Sequence, residues 1–556
     1  MRKESVLDLT LATNDIATSI QDWQTIPEVG SDHHAILFSI YTTSQLPSQL
    51  ASLPKQYNTK RTDWTSFKET LGQEIKALDL EKRLSTLPPC SNYTSRKLIL
   101  GQNIPLETKL DKLGQDLTRT IQKALEKSTP LVNQKPKTKP WWTSELDSHK
   151  RDLSRAYRAY KKEAAKENNS SLYQWKREYL RTKNRYLKAI RRAKQSHWEA
   201  FLQKDSPKEI FKALAYTKDN LSTRIPAIKG KESFTEKCKA FREDLFPPPP
   251  TTATPSFHTY RGDSRWTWPT LTEDELHFAC CKVKATSPGP DLISQEVIQK
   301  AYSAQPEAIF KIYSTLFNLG YHPRCWRKAK GVILKKTSKP DYSIPKAYRV
   351  ISLLNCLGKV LERLVARRLS ALAETTDLLH PSQLGGRLKK SAIDAALLFY
   401  NNIQQRKRKQ KTTTTIFLDI KGAFDHVSKN KLLEVMKDQG LPCCLLAWTK
   451  SFLEDRILQL SFDGQTEEPQ EISTGTPQGS PASPILFLIY SKPLFQAIQE
   501  NAYTYSSSYI DDLQISISST SVRKNIKLLE RETQNLFRLA EESAIQFDSS
   551  KTELVN

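Results

Sequence analysis

Two short runs near the C-terminal end alternate in polarity, YTYSSSY (503–509) and LQISIS (513–518), with Ile510, Asp511 and Asp512 between them. A period of two predicts a pair of strands joined at a turn that carries the Asp-Asp pair. TTTTIFLDI (412–420) predicts a third strand from its β-branched content. GSDHHAILFSI (30–40) ends in an alternating strand pattern. Helical periodicity runs from 63 to about 130, interrupted by LPPC (87–90). It returns in VLERLVARRLSALAE (360–374) and SAIDAALLFYNNIQQ (391–405). It also fits 179–204, where Tyr179, Tyr186, Ile190, Ala193 and Trp198 fall on one face. The loop STGTPQGSPASP leads into an apolar helix starting near Pro484, since proline suits a helix's first turn. Residues 45–62 look like a Ser/Pro/Lys-rich linker, and FPPPPTTATPS (246–256) like an extended break. The expected segments are 1–44, 45–140, 141–256 and 257–556. Strands and helices mixed in the last of them give an α+β class.

Length and charge narrow the picture. At 556 residues the chain exceeds a single core of ordinary size. A net charge of +25 points to a polyanionic partner, nucleic acid before an anionic membrane surface. No apolar run reaches transmembrane length, so no membrane span is expected. The N-terminus has no apolar core of signal-peptide length, and its acidic residues fit a mitochondrial leader poorly. The expected location is nucleus or cytoplasm. The eight cysteines include two adjacent pairs, Cys280-Cys281 and Cys443-Cys444, but no zinc spacing, which fits reduced thiols. Between 134 and 220, 23 Lys/Arg stand against 10 Asp/Glu, interleaved with ten Trp and Tyr. That stretch reads either as a solvated helical surface or as a platform that neutralises phosphates.

The candidate chemistry is a carboxylate constellation. Asp419 lies near the end of the predicted strand, and Asp425 follows six residues later in FLDIKGAFDHV (417–427). A strand-end carboxylate beside the Asp511-Asp512 turn brings three oxygen donors from two segments. Two Mg²⁺ ions need such shared carboxylates, with substrate phosphates and water completing the shell. Gly475 and Gly479 suit a loop whose backbone approaches a ligand closely. An ordinary turn does not require the Gln478 between them.

The order FLDIKGAFDHV, TPQGSPASP, YIDD and FDSSKTE (547–553) resembles the palm of a reverse transcriptase. Upstream, SPGPDLIS (287–294), WRKAKGVILKK (326–336), YRVISLLNCLGKVLERL (348–364) and QLGGR (383–387) resemble fingers segments of the non-LTR, LINE-like class. LDLTLAT (7–13) and GSDHHAI resemble the last strands of the apurinic-type endonuclease that precedes such polymerases. The resemblance implies a right-hand polymerase, an antiparallel palm sheet packed on helices. A basic helical connector and a short β remnant of the nuclease would precede it. It implies RNA-directed DNA synthesis with two Mg²⁺ ions, for which Mn²⁺ can substitute. Template RNA, a DNA primer or target DNA, and deoxynucleoside triphosphates are the implied partners. Asp419 and Asp511 are similar to the family's metal ligands, with Asp512 as the supporting carboxylate. Phe424 resembles the side chain that blocks a 2′-hydroxyl. Gln478, with Gly479 beside it, resembles the residue contacting the incoming nucleotide, Arg349 a cation that clamps the triphosphate, and Lys551 the lysine that protonates pyrophosphate.

The sequence departs from the family at several positions. Ile510 replaces a small residue, Val350 a proline, and Leu384 and Gly386 aromatics. Asp8, Asp32 and His33 are similar to late nuclease residues, but the earlier metal-binding part is missing, so no nuclease activity is expected. The thumb is expected to be absent. RKRK (406–409) reads as a solvated stretch or an import signal. The alternative function is a decayed or repurposed nucleic-acid-binding fragment without polymerase activity. An intron-type maturase is a weaker third reading.

Overall fold

The computed structural model describes residues 20–26, 35–40, 57–131, 141–166, 171–202, 225–248, 252–337, 339–498 and 503–556. The chain forms two compact units, one from 1–55 and 132–223, the other from 56–131 and 224–556.

In the first unit, strands β1 (Ile20–Ile26) and β2 (Ala35–Ile40) pair antiparallel, Ile26 opposite Ala35 and Ile20 opposite Ile40. Helices Ser144–Ala164 and Leu172–Leu202 pack on one another. Thr143 caps the first, its hydroxyl accepting from the Leu146 amide. Leu146, Leu153, Tyr186 and Ile190 are buried between them, as the periodicity requires. Trp198, expected on the packed face, is 41% exposed. It lies about two turns beyond Ile190, the last buried residue of that cluster. Asp8, Asp32 and His33 lie outside the described residues.

In the second unit, helices Trp64–Ala77 and Ile104–Ser128 pack together. Leu106, Leu110, Leu113, Leu117, Ile121 and Leu125 form a stripe at 3.6-residue spacing along the longer helix. They share one core with Ile312, Tyr313, Trp326 and Trp448. The two units divide at 55/56, 131/132 and 223/224, beside the segment limits of 44/45, 140/141 and 256/257 expected from composition. Helix Phe234–Leu245 also belongs to this unit: Phe241 meets Tyr348 and Phe462 edge-on at 5.2 and 5.7 Å. Proline-rich composition marks an extended segment, but apolar stripes on either side decide which core each helix joins.

Two sheets follow. Strands β3 (Lys328–Lys335), β4 (Tyr348–Leu354), β6 (Arg456–Phe462) and β7 (Gln465–Thr466) run in the order β4-β3-β6-β7, with β8 (Gln470–Ile472) also on β6. Strands β5 (Thr412–Asp419), β9 (Thr504–Tyr509), β10 (Asp512–Ser519) and β11 (Glu553–Val555) form a fully antiparallel sheet, order β11-β5-β10-β9. Leu418, Leu513, Ile515 and Ile517 are buried in the main core. Thr415–Ser516 and Thr413–Ser518 hydroxyl pairs, at 2.8 and 2.7 Å, tie β5 to β10 in register. Helix Val522–Glu542 backs this sheet, with Asn525 donating to the Thr412 carbonyl at 2.8 Å. The α+β class and the antiparallel sheet packed on helices are present as expected. All eight cysteines are free thiols. Among the described residues no helix is long and apolar enough to cross a membrane.

Helix Ala392–Arg408 departs from expectation, since it buries no residue fully and leaves Ile393, Leu397 and Tyr400 more than half exposed. Helix Pro306–Leu319 ends at Gly320, φ 78°, where the Tyr321 amide closes the last turn on the Leu316 carbonyl. A Cβ there would lie 1.9 Å from the Cys444 carbonyl oxygen. Gly320→Ala is expected to lower the thermal midpoint. The left-handed conformation alone costs about 1–2 kcal/mol with a Cβ, and displacement of the Cys444 backbone adds to it.

Candidate active site

The register of β5 on β10 builds the site. Asp419, last residue of β5, stands directly opposite Asp512, first residue of β10. Asp512 in turn faces Tyr509 of β9, so Ile510 and Asp511 form a two-residue hairpin loop. Only the first loop residue has positive φ, Ile510 at 62°. A β-branched residue rarely adopts that conformation, so the loop holds local strain. The Ile420 amide donates to the Asp511 carbonyl at 3.2 Å, tying the loop to the end of β5.

Lys551 completes the cluster, its Nζ 2.6 Å from Asp419 Oδ2. Its position follows from local sequence. Asp548 caps the short turn Ser549–Lys551 by accepting from the Ser550 amide, and β11 then pairs with β5. The Asp419 carboxylate raises the Lys551 ammonium, which stays charged. Burial first, then neighbouring carboxylates, push Asp511 and Asp512 above the usual range; Lys551 opposes both. Like charges held this close favour a cation between them. Among the described residues no three carboxylate, His or Cys side chains close around an ion unaided. The donor set nonetheless suits hard divalent cations that take remaining oxygens from phosphate and water.

The sequence-predicted loop joins this region to the other sheet. The Ser352 amide of β4 donates to the Gln478 carbonyl at 2.8 Å. Gly479, φ 121°, passes so close that a Cβ would sit 2.7 Å from the Ser352 oxygen. Thr476 and Gly475 amides donate to the Phe424 and Val427 carbonyls at 2.7 and 3.0 Å. The Phe424 ring tilts against Phe487 at 5.5 Å, half-buried at the edge of the core. Arg349 is exposed on β4, opposite Leu334, and Val350 is a buried ladder residue opposite Ile333.

Lys336 and Gly385 were not singled out from sequence, and Asp425 was named there without a partner. Lys336 follows β3, and the charges of Arg349, Lys551 and Asp425 act on it. Its only sequence signal is its place at the end of WRKAKGVILKK. Asp425 accepts from Gln478 Nε2 at 2.9 Å. Burial pushes its carboxyl up to about 7, against the pull of Lys336 and the Gln478 amide. Gly385 lies beneath the hairpin loop: QLGGR runs alongside β9, with Leu384 and Gly385 amides on the Ser508 carbonyl and the Ser508 amide on Ser382. Leu384 is buried there, which accounts for an aliphatic rather than an aromatic residue. A cleft of about 640 Å³ opens beside Asp419 and Asp512, lined also by Ala395, Phe399 and Lys551.

If Asp425 positions Gln478, Asp425→Ala leaves the amide without its acceptor, whereas Asp425→Asn retains an oxygen there. The expected result is a raised nucleotide KM in Asp425→Ala, near-normal KM in Asp425→Asn, and no further loss when Gln478→Ala is added. A carboxyl raised on folding binds its proton more tightly in the native state, so stability falls as pH rises from about 4 to 7. Asp425→Asn is expected to flatten that fall in a thermal-midpoint series across pH.

Residues 333–556 match the family described as "Reverse transcriptase (RNA-dependent DNA polymerase)". Over these residues the chain is similar to reverse transcriptase domains of non-LTR retrotransposons. The RNA-directed DNA polymerase from mobile element jockey of Drosophila melanogaster is 29% identical over 242 residues, 42% of this chain and 26% of that protein. A 115 kDa protein in the type-1 retrotransposable element R1DM of the same species is 25% identical over 530 residues, 94% of this chain and 48% of that one. The Pol polyprotein of the type-1 element R1 of Bradysia coprophila is 23% identical over 529 residues, 93% of this chain and 49% of that one. The chain thus spans about half or less of the length of these relatives.

Proposed function

We propose that this chain is an RNA-directed DNA polymerase of a non-LTR retrotransposon that extends a primer 3′-hydroxyl on an RNA template with deoxynucleoside triphosphates. The observation that carries this is the pairing of Asp419 with Asp512 across β5 and β10, with Asp511 in the adjoining loop and Lys551 on Asp419. Asp419, Asp511 and Asp512 would hold two Mg²⁺, or Mn²⁺, which when bound activate the attacking hydroxyl and stabilise the leaving pyrophosphate. Lys551, kept charged by Asp419, is placed to give a proton to the leaving group; a positioned acid typically contributes about 10²–10⁴ in rate. Arg349 and Lys336 meet the triphosphate as cations. Gln478 and Gly479 bound the nucleotide, and Phe424 stands where a bulky ring excludes a 2′-hydroxyl.

Residues 1–44 belong to this reading as the end of a nuclease domain, carrying Asp8, Asp32 and His33 without activity of their own. Incubating the chain with abasic-site DNA and finding no cleavage supports that; cleavage lost in Asp32→Asn overturns it.

Strain at Ile510 favours a second reading, a binding fragment whose hairpin no longer supports catalysis. Primer extension on a homopolymer RNA template separates the two. Extension that disappears in Asp511→Asn supports the polymerase. Salt-sensitive RNA binding with no extension by the unaltered chain supports the fragment.

A further inference from the structure

The helical pair Ser144–Ala164 and Leu172–Leu202 carries chemistry that nucleotide transfer does not use. Its aromatic residues are largely turned inward. Tyr160 stacks on Tyr179 at 5.7 Å, Tyr157 tilts on the same ring at 5.4 Å, and Trp142 donates to Asp147 at 2.8 Å. On the first helix the inner face runs through Leu146, Leu153, Tyr157 and Tyr160; half a turn away lie Arg151, Arg155, Arg158 and Lys162, all exposed. On the second helix Tyr179, Tyr186 and Ile190 face inward, and the opposite face carries Arg177, Arg181, Arg185, Lys188 and Arg192, also exposed. Each outer face is thus a row of cations at intervals of three or four residues, about 5–6 Å apart along the axis. Among the described residues of the two rows only Arg155 forms an ion pair, with Asp152 at 3.7 Å.

Over 141–202, 16 Lys/Arg stand against seven Asp/Glu. Glu163, one of the seven, is buried and bonds Ser171 and Lys166 at 2.5 and 2.7 Å. Seven of the nine row residues are arginine, whose planar fork suits phosphate oxygens. Tyr173, Leu180 and Trp198 are exposed on the second helix, but no apolar side chain lies within either row, so the rows themselves carry charge without an apolar anchor. Single-strand binding draws on bases stacked on aromatics, and most rings here are engaged within the pair. A row of about 17–23 Å spans about five to seven nucleotides of one strand at 3.4 Å each.

We propose that residues 141–202 form a second nucleic-acid-binding element, each outer face gripping the phosphate backbone of a duplex, so that one helical pair holds two duplex segments. This stands apart from polymerase activity and does not require it.

The test uses the full chain and a 20-base-pair duplex, as DNA and as RNA, titrated across 50–200 mM salt. Variants are Arg151→Gln/Arg155→Gln/Arg158→Gln/Lys162→Gln, the five-residue set on the second helix, and both together. A control neutralises four exposed lysines of the other unit, Lys60, Lys68, Lys76 and Lys82, and thermal midpoints verify folding. For the face it alters, each row variant is expected to reduce the slope of log K against log salt by about 3.5–4.5, at roughly 0.9 for each phosphate no longer neutralised. Because the two faces are separate sites, each row variant should lose one bound duplex and the combined variant both. Capture of a labelled duplex by the chain bound to an immobilised one should fall in either row variant. The proposal is overturned if the row variants match the unaltered chain, if the lysine control falls equally, or if only single-stranded binding falls. A larger loss on DNA than RNA identifies target DNA as the partner; the reverse identifies an RNA duplex.

Discussion

Asp511→Asn is expected to abolish primer extension while the chain remains folded and still binds RNA. Asparagine keeps the size of the side chain and is tolerated in turns, so the loop between β9 and β10 retains its shape. What disappears is one of three neighbouring carboxylates whose charges act on one another. Loss of a single preorganised electrostatic group in an active site costs about 10²–10³ in kcat, and a metal ligand stands at the upper end or beyond. The folded state is not expected to suffer. Asp511 is held above the usual carboxylate range by burial and by Asp512 and Asp419, so its charge is unfavourable in the absence of a cation. Removing that charge should leave the thermal midpoint unchanged or raise it. Extension rates with Mg²⁺ and with Mn²⁺, measured beside the midpoint, check both halves. A variant that extends primer as fast as the unaltered chain would remove Asp511 from the catalytic set.

Gly385→Ala is expected to cost nearly as much activity from outside the carboxylate cluster. A Cβ at Gly385 would lie 2.4 Å from the Ile510 amide nitrogen and 2.7 Å from the Tyr509 carbonyl carbon. These are backbone atoms, and no side chain can rotate to relieve the contact. The loop must move away, taking Asp511 with it, and displacement on the scale of 1 Å at a reacting centre can cost about 10²-fold. Overpacking also lowers stability by about 1–3 kcal/mol. Gly386→Ala provides the contrast. Its φ of 75° strains any residue with a Cβ, but the nearest atom is Leu488 Cδ1 at 3.3 Å, at the end of a flexible side chain. That variant should lose stability and keep most of its kcat. Parallel measurement of thermal midpoint and extension rate separates the two glycines; equal kcat in both would refute the wedge beneath the hairpin.

How much of this was legible along the chain depended on the range of the interaction. TTTTIFLD and LQISIS announce strands because β-branched and alternating residues satisfy a pleated, half-buried surface locally. The proline near the start of Ser483–Gln496 and the interruption at 87–90 are likewise local. The Asp511-Asp512 loop and the spacing from Asp419 to Lys551 resembled a known palm, and residues 333–556 match that family. The helix Ala392–Arg408 shows the limit of such reading. Its periodicity predicts a helix, but whether the apolar face is covered depends on what else packs there.

The sequence by itself determined which segments become strands and helices, the strongly basic character of the chain, and which side chains are chemically able to hold cations and phosphates. Only the tertiary structure decided that Asp512 stands opposite Asp419 rather than one residue away. It also decided that Asp425 engages Gln478, that Gly385 sits under Ile510, and that helices 64–128 join the main core. Periodicity fixes the face a residue occupies within its own element. Partners between elements are chosen by register and by close packing of residues distant along the chain, which no local pattern specifies.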